Sequence, residues 1–466
     1  MKWANILYIY QPPTQKKELF DKVIKQSYIP ILDLLLANPQ AKLTLQVNGG
    51  MIERFAQTGK WEVINKIKSL LEKNQLELTE TSAYQAFFPM LPKEEIRRQI
   101  LINRAILKKY FGEAYKLSGF FPTAMAFSQE TFDIIKELGY RWVILDETSL
   151  DQKIPNKEIL EYEEVLVFIR NREFSFQILT SQIENHSILI DKIRKRYKGN
   201  EYLITAMDGE TFGHHRLGYE EILFYIYNSD KFSSVLISDL EYLYTERKQT
   251  HPKESTWVLP MASDKNPNTF ERWYNSKNNI NRLQKKLLEL AIDTVKKSMY
   301  KIQDPMLGAE IPETLTEREK VWIKARYLLD SAMHQEQFFF TSAKPNWDLE
   351  LIEKGAFDLY ESIRLVPDVT RKVKEEAHKL YTDIVLTGIK WQRTQKIDAI
   401  VKNFFQEEKG DEEEEVILPA SKYKEGIKRL QREMKIASKG QDYEIAQKLK
   451  ERIEEMHQKQ EHFRSK

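Results

Sequence analysis

Short runs of β-branched and aromatic residues alternate with longer amphipathic stretches through the first 260 residues. Ile6–Tyr10, Leu43–Asn48, Leu76–Thr79, Trp142–Asp146, Val165–Ile169 and Tyr202–Met207 read as strands. Lys17–Leu36, Trp61–Glu72 and Glu94–Phe111 carry apolar residues at helical spacing. Repeated strand–helix alternation builds a mostly parallel sheet with helices outside it. An open doubly wound sheet and a barrel both satisfy the pattern. Six or more units, with no GxGxxG turn, favour the barrel.

From about Asn281 the period changes. Arg282–Met299, Glu317–Met333 and Leu349–Leu365 are amphipathic helices with few strand signals between them, read as a helical region packed on the barrel. Phe404–Pro419 contains the run GDEEEEV, a solvated acidic linker by its charge. Lys424–Gln458 follows as two helical segments broken at Lys439-Gly440-Gln441. The expected organisation is a barrel over residues 1–280, a helical domain over 281–403, a linker over 404–420 and a helical hairpin over 421–466. No internal repeat of 20–50 residues is visible.

Composition narrows the classes. Hydrophobic residues are 41% and charged residues 30% of the 466 residues, enough for large cores. Lys+Arg minus Asp+Glu is 72 − 70 = +2, so no global field draws nucleic acid or membrane. The absence of cysteine excludes a disulfide scaffold, thiolate zinc, iron–sulfur ligation and a Cys nucleophile, and it fits a reducing compartment. No run approaches membrane-spanning length and no apolar signal core opens the sequence, so a soluble cytoplasmic protein without a membrane partner is expected.

Several strands run into polar residues: Gln11-Pro12, Asn48-Gly49-Gly50, Thr79-Glu80, Asp146-Glu147 and Asp208-Gly209-Glu210. In a parallel barrel these ends share one face, where loops build the site. The densest segment is Met207-Asp208-Gly209-Glu210-Thr211-Phe212-Gly213-His214-His215-Arg216. If the strand continues, Asp208 and Glu210 point the same way. A carboxyl beside another carboxylate and aromatic rings can hold a raised pKa and act as a general acid. The structural alternative is a cap on a following helix. A cap needs no Glu, His, His and Arg beside it, which favours the site.

His214 and His215 are adjacent, so their rings diverge, and there is no HxH or HExxH spacing; no metal site and no cofactor are expected. Nor is there a GxSxG elbow. Tyr8, Tyr10, Tyr84, Phe87, Phe88, Phe120, Phe121, Phe127 and Phe212 fall near strand ends or loops. Sugar rings stack their C–H faces on such side chains, although ordinary core packing accounts for most of them.

These residues resemble glycoside hydrolase family 57. Tyr10-Gln11-Pro12 resembles its first motif, His-Gln-Pro. Leu76–Thr81 with Ala83-Tyr84-Gln85 resembles the second, and Gly119–Ser128 the third. Met207–His215 is a close match to the fourth, and Trp322–Trp347 resembles the helical region lining the site. The resemblance implies an α/β fold: an incomplete (β/α)7-type barrel followed by an α-helical domain, here with a C-terminal helical hairpin. It implies action on α-glucan or related glycan by a retaining mechanism, so a glycan or oligosaccharide is the expected partner.

Carried over residue by residue, Asp208 is the acid/base and Ala124 falls where the nucleophile glutamate belongs. Tyr10 replaces the first-motif histidine, and Gln85 a histidine of the second. Tyr10, Gln11, Glu77, Tyr84, Gln85, Phe121, His214, His215 and Trp347 are the expected substrate contacts. A retaining glycosidase needs two carboxyls about 5–5.5 Å apart, and alanine supplies none. Glu210, Glu80 or Asp146 as a displaced carboxylate, a water beside Ala124, or a substrate acetamido group would each be an escape. Loss of hydrolysis is the leading expectation, which sets a hydrolase or glucanotransferase against a catalytically inactive glycan-binding or scaffold protein.

Tyr423–Met456 resembles the UVR motif, through Ile427, Leu430, Glu433-Met434, Ala437, Asp442–Ala446, Leu449, Arg452 and Ile453. Two short helices with one apolar stripe each bury little alone, so a protein partner is expected. Ser421–Lys466 carries 13 Lys/Arg against 8 Asp/Glu, too small a surplus to suggest nucleic acid.

Overall fold

The computed structural model describes residues 1–13, 15–151, 153–180, 186–258, 269–298, 313–344 and 346–408, with isolated helical positions between 431 and 454. Met1–Phe405 is one compact unit and Gln406–Lys466 another. Most of the acidic linker and the hairpin read from the sequence lie outside the described residues.

Among the described residues there are ten strands: β1 (Lys2–Ile9), β2 (Leu43–Val47), β3 (Leu76–Thr79), β4 (Gly119–Phe120), β5 (Trp142–Asp146), β6 (Ile159–Tyr162), β7 (Val165–Arg170), β8 (Tyr202–Asp208), β9 (Ser233–Val235) and β10 (Arg247–Gln249). One sheet runs β3-β2-β1-β8, with β9 beside the start of β1; the other runs β10-β6-β7-β5-β4. Backbone bonds join them. Glu80 N donates to Gly119 O at 3.0 Å and Phe121 N to Glu80 O at 2.8 Å, linking β3 to β4. Asn171 N donates to Ile204 O at 2.9 Å, linking the end of β7 to β8. The sequence β8-β1-β2-β3-β4-β5-β7 thereby closes as seven parallel strands, an incomplete β/α barrel.

Alternation along each strand divides inside from outside. Ala4, Ile6, Ile144, Phe168, Ile204 and Ala206 fill the interior. Leu7, Ile9, Leu43, Leu45 and Val47 face outward against the surrounding helices. Two positions further along the inward faces, Tyr8, Asp146, Arg170 and Asp208 reach the carboxyl-end mouth.

The stretch read as one helix, Lys17–Leu36, is interrupted by a π-helical turn at Ile24–Tyr28. β4 is only two residues long and carries no alternation to read. Its Gly119 is required by close packing, since a Cβ there would lie 2.0 Å from the Trp142 ring.

The helical region contains Asn279–Lys297, Glu317–Ala332, Leu349–Leu365, Arg371–Arg393 and Lys396–Glu408. Its last helix runs past the expected linker start: the backbone is helical through Glu408. The region packs on the barrel within one unit. Arg326 Nη1 meets Glu95 Oε1 at 3.0 Å, Arg98 Nη2 meets Asp330 Oδ2 at 2.7 Å, and Trp273 stacks on Phe87 at 4.0 Å. No described helix is long and apolar enough to cross a membrane.

Candidate active site

β8 ends at Asp208, and the chain then turns through a 3-10 segment, Gly209–Thr211. The strand does not continue as the alternation argument required. Asp208 caps the turn instead, its Oδ1 accepting Glu210 N at 2.9 Å. The cap brings the two carboxyls together, so the capping reading and the paired-carboxyl reading describe one arrangement.

Glu210 is buried at 2% exposure. Its Oε1 accepts from Tyr10 N at 2.9 Å, from Gln11 Nε2 at 3.4 Å and from the Tyr28 hydroxyl. Burial, then the Asp208 charge and their shared hydrogen bond, push the Glu210 carboxyl well above the usual carboxylate range. Burial also raises Asp208, but the hydrogen bonds with Glu210 and His215 outweigh it and hold its carboxyl below that range. The pair therefore carries one proton, on Glu210, with Asp208 ionised toward the mouth. Asp208 keeps 32% of its side chain exposed, and Oδ2 lies 3.7 Å from Nε2 of the half-exposed His215.

The π-helical turn supports this loop. Ser27 Oγ donates to Gly209 O at 2.9 Å, Gln26 Oε1 meets His214 Nδ1 at 2.9 Å, and Tyr28 reaches Glu210. Single π turns inside helices recur at functional sites. Gly213, at φ +100°, is the only residue type that fits here, because a Cβ would lie 1.9 Å from the Gln26 carbonyl oxygen.

The helical region adds Glu336 and His334, neither singled out from the sequence. Glu336 Oε2 accepts the Tyr10 hydroxyl at 3.0 Å and lies 3.0 Å from His334 Nδ1. Burial, followed by the neighbouring carboxyls of Asp208, Glu210 and Glu336, pushes the Tyr8 hydroxyl well above its ordinary pKa. Tyr8 lies 5.2 Å from the Trp257 ring, and Phe121 lies 5.6 Å from it on the interior side. Trp257, Tyr28, His334 and Glu336 gave no local sequence signal, since each belongs to the site only through tertiary packing.

Across the mouth, β4 leads into Thr123–Met125. Ala124 (φ 55°) and Met125 (φ 48°) both adopt left-handed backbone. Thr256 Oγ1 at 2.7 Å and Trp257 N at 3.2 Å hold the Ala124 carbonyl. Non-glycine residues in this conformation each cost about 1–2 kcal/mol, and such strain clusters at functional sites.

The other carboxyls proposed as substitutes are committed. Asp146 faces inward but pairs with Arg170 at 3.1 Å and Arg172 at 3.0 Å. Glu80 points outward to Tyr140 and Arg104, and burial pushes it up to about 7. Among the described residues no His, Asp and Glu cluster is arranged to hold a metal.

Of the expected contacts, Tyr10, Gln11, His214 and His215 gather around the Asp208–Glu210 pair. Gln85 sits nearby, accepting Thr123 Oγ1 at 3.4 Å and, through its backbone, Gln335 N at 2.9 Å. Three lie elsewhere. Glu77 binds Thr44 Oγ1 at 2.7 Å and Ser238 N at 3.2 Å at the barrel's amino end. Tyr84 packs on Gly50 in the outer helical layer. Trp347 packs against Trp391 at 5.8 Å, within the helical region. An even spread of polar and aromatic residues along the motifs does not reveal which end or face of the barrel each occupies.

The fold and site define a seven-stranded β/α barrel with a carboxyl pair at its carboxyl-end mouth and a helical region closing on it. A profile of glycosyl hydrolase family 57 matches residues 5–251, more than half of the chain, and the chain belongs to that family. A UvrB/uvrC motif profile matches residues 424–459. Among curated relatives, an α-amylase of Pyrococcus horikoshii is 26% identical over 275 residues, covering 54% of this chain and 41% of its own length. The chain thus spans well under half of that relative. Among solved structures, the GH57-type branching enzyme of Pyrococcus horikoshii superposes with a TM-score of 0.62 at 14% identity, over 83% of this chain and 96% of that one. The 4-α-glucanotransferase of Thermococcus litoralis gives 0.59 at 16% identity, over 78% and 60%. Both share the fold.

Proposed function

We propose that this protein binds an α-glucan at the carboxyl-end mouth of the barrel and does not hydrolyse it by the retaining route of its family. The observation that carries the reading is Ala124. It occupies the strained turn after β4, across the mouth from the Asp208–Glu210 pair, and the two substitute carboxyls outside that pair, Asp146 and Glu80, are each paired with arginine. Asp208 keeps the acid/base position and accepts a sugar hydroxyl. Glu210 holds the proton behind it, and Tyr10, Gln11, His215 and Glu336 complete the polar wall. Trp257, backed by the buried Phe121, offers the apolar face on which a sugar ring stacks.

The α-glucan assignment draws on relatives named as α-amylase, branching enzyme and 4-α-glucanotransferase. The segment matching the UvrB/uvrC motif is the proposed protein-binding element, through which glycan occupancy would be passed to a partner in the cytoplasm. Calorimetric titration with malto-oligosaccharides tests the binding. The parent takes up the sugar, and Asp208→Asn weakens it by about tenfold, the cost of a charge-assisted hydrogen bond. No heat with the parent, or equal affinity in the variant, would remove the pocket from the account.

A further inference from the structure

We propose that a cleft on the surface of the helical region is a second ligand site, which takes a sugar phosphate. The inference goes beyond the glycan-binding reading of the barrel mouth and does not depend on it.

The cleft lies between the helices Asn279–Lys297 and Arg371–Arg393 and encloses about 470 Å³. Small-molecule sites range from about 300 to about 1,000 Å³. Leu287, Leu288 and Ala291 of the first helix, and Ile384, Gly388 and Trp391 of the second, are buried in the core. Arg282 and Lys286 stand one turn apart on the first helix. Asp383, Thr387 and Lys390 recur at the same spacing on the second, so each set lines the cleft from one helix face.

The charges here break the pattern of the surrounding surface. Elsewhere on these helices an acid one turn away answers a cation: Glu289 meets Lys285 at 3.9 Å, Asp293 meets Lys297 at 3.3 Å and Glu375 meets Arg371 at 2.7 Å. Arg282, Lys286 and Lys390 have no acid four residues away in either direction. All three are exposed, and none forms an ion pair among the described residues. Arg282 donates to the neutral Asn279 Oδ1 at 2.6 Å, which orients the guanidinium at the cleft. Asp383 lines the same cleft and pairs with none of the three. It stands seven residues from Lys390, about 10 Å along the helix axis.

These groups name the ligand. Three cations gathered without a partner suit a phosphate ester, which carries about −1.5 to −2 charge at neutral pH and accepts two bonds from a guanidinium. Asp383 repels a second anionic group and accepts hydroxyl donors, and the Thr387 hydroxyl lies on the same helix face. Leu283 and the 58% exposed Leu386 supply an apolar strip for ring C–H groups. Inorganic phosphate would leave Asp383 without a donor, and an acidic peptide would set carboxylates against it. No aromatic side chain lines the cleft, so a nucleobase has nothing to stack on. A sugar ring bearing one phosphate answers both the cations and the carboxylate.

The test is calorimetric titration of the full chain with glucose 6-phosphate, glucose and inorganic phosphate. The parent binds glucose 6-phosphate saturably, at least about tenfold tighter than phosphate, and gives no heat with glucose. Arg282→Gln combined with Lys286→Gln weakens glucose 6-phosphate by about tenfold or more, at an unchanged melting temperature because both side chains are exposed. Asp383→Ala reduces the preference for glucose 6-phosphate over phosphate about tenfold, a change that loss of general charge attraction does not produce. Arg371→Gln, an exposed cation on the same helix outside the cleft, leaves the affinity as it was. The proposal is overturned if the parent shows no saturable binding of glucose 6-phosphate, or if phosphate binds equally well. Intact affinity in the double variant, or an equal loss in Arg371→Gln, overturns it too, since binding would then lie elsewhere or be diffuse.

Discussion

The two sides of the barrel mouth are built to different standards. On the β8–β1 side, Tyr10, Gln11 and Tyr28 donate to one oxygen of Glu210, and Glu210 in turn fixes Asp208. On the β4 side, a strained turn pinned by Thr256 and Trp257 ends in the methyl group of Ala124. A retaining glycosidase needs both sides, one to move a proton and one to attack carbon. On the proposed reading, the β8–β1 side is the proton-handling side and is complete, while the β4 side keeps a strained backbone that carries only a methyl group, an arrangement that suits a pocket kept for binding.

The largest expected effect comes from repairing the weaker side. Ala124→Glu should raise malto-oligosaccharide turnover at least about a hundredfold over the parent's background, since a lost nucleophile costs several powers of ten. The backbone is already left-handed with alanine, so the added strain is small. Product release that stays at background would mean that the β4 turn no longer presents position 124 to the sugar.

Damage to the stronger side should act on stability. Gly213→Ala forces a methyl group against the Gln26 carbonyl at positive φ and should cost about 3–4 kcal/mol, read by denaturant unfolding. Glycan affinity should fall with it, because Gln26, Ser27 and Tyr28 support the Asp208–Glu210 loop together. A variant as stable as the parent would show that the π-helical turn and the loop adjust independently.

A smaller, pH-dependent effect belongs to Glu80, outside the pocket. Its carboxyl is raised to about 7 when folded, against about 4.3 when unfolded. The folded state binds more protons between these values, so the stability it contributes is full below about pH 4 and is lost as pH rises through 7. The span corresponds to about 4 kcal/mol. Glu80→Gln should flatten the melting temperature between pH 5 and 7 relative to the parent, by removing about 2 kcal/mol of pH-dependent stability. An unchanged slope would assign the pH dependence to other groups.

Much of this architecture was legible in the chain. Strand–helix alternation placed five strands within a residue of both observed ends, because buried parallel strands are short apolar runs bounded by polar turns, while β1 begins at Lys2, four residues before the Ile6 start that was read. Two-residue β4 escaped because it has no periodicity and is held by a glycine against Trp142. Asp208 and Glu210 stood out as neighbours in sequence. Tyr28 did not, since the helical period of Lys17–Leu36 conceals the π turn that aims it at Glu210. Glu336, held by His334, reaches Tyr10 from more than 320 residues away, a relation no local pattern carries. Glu77 and Tyr84 show the converse: motif membership does not fix the face on which a side chain lies.

The most direct test is chromatography of products from malto-oligosaccharides and glycogen, at high protein and long times, for the parent beside Asp208→Asn. The account predicts no products from either, with sugar binding by the parent demonstrated in the same preparation. Products that appear with the parent and vanish with Asp208→Asn would contradict it, and would mean that another group performs the step for which Ala124 has no side chain.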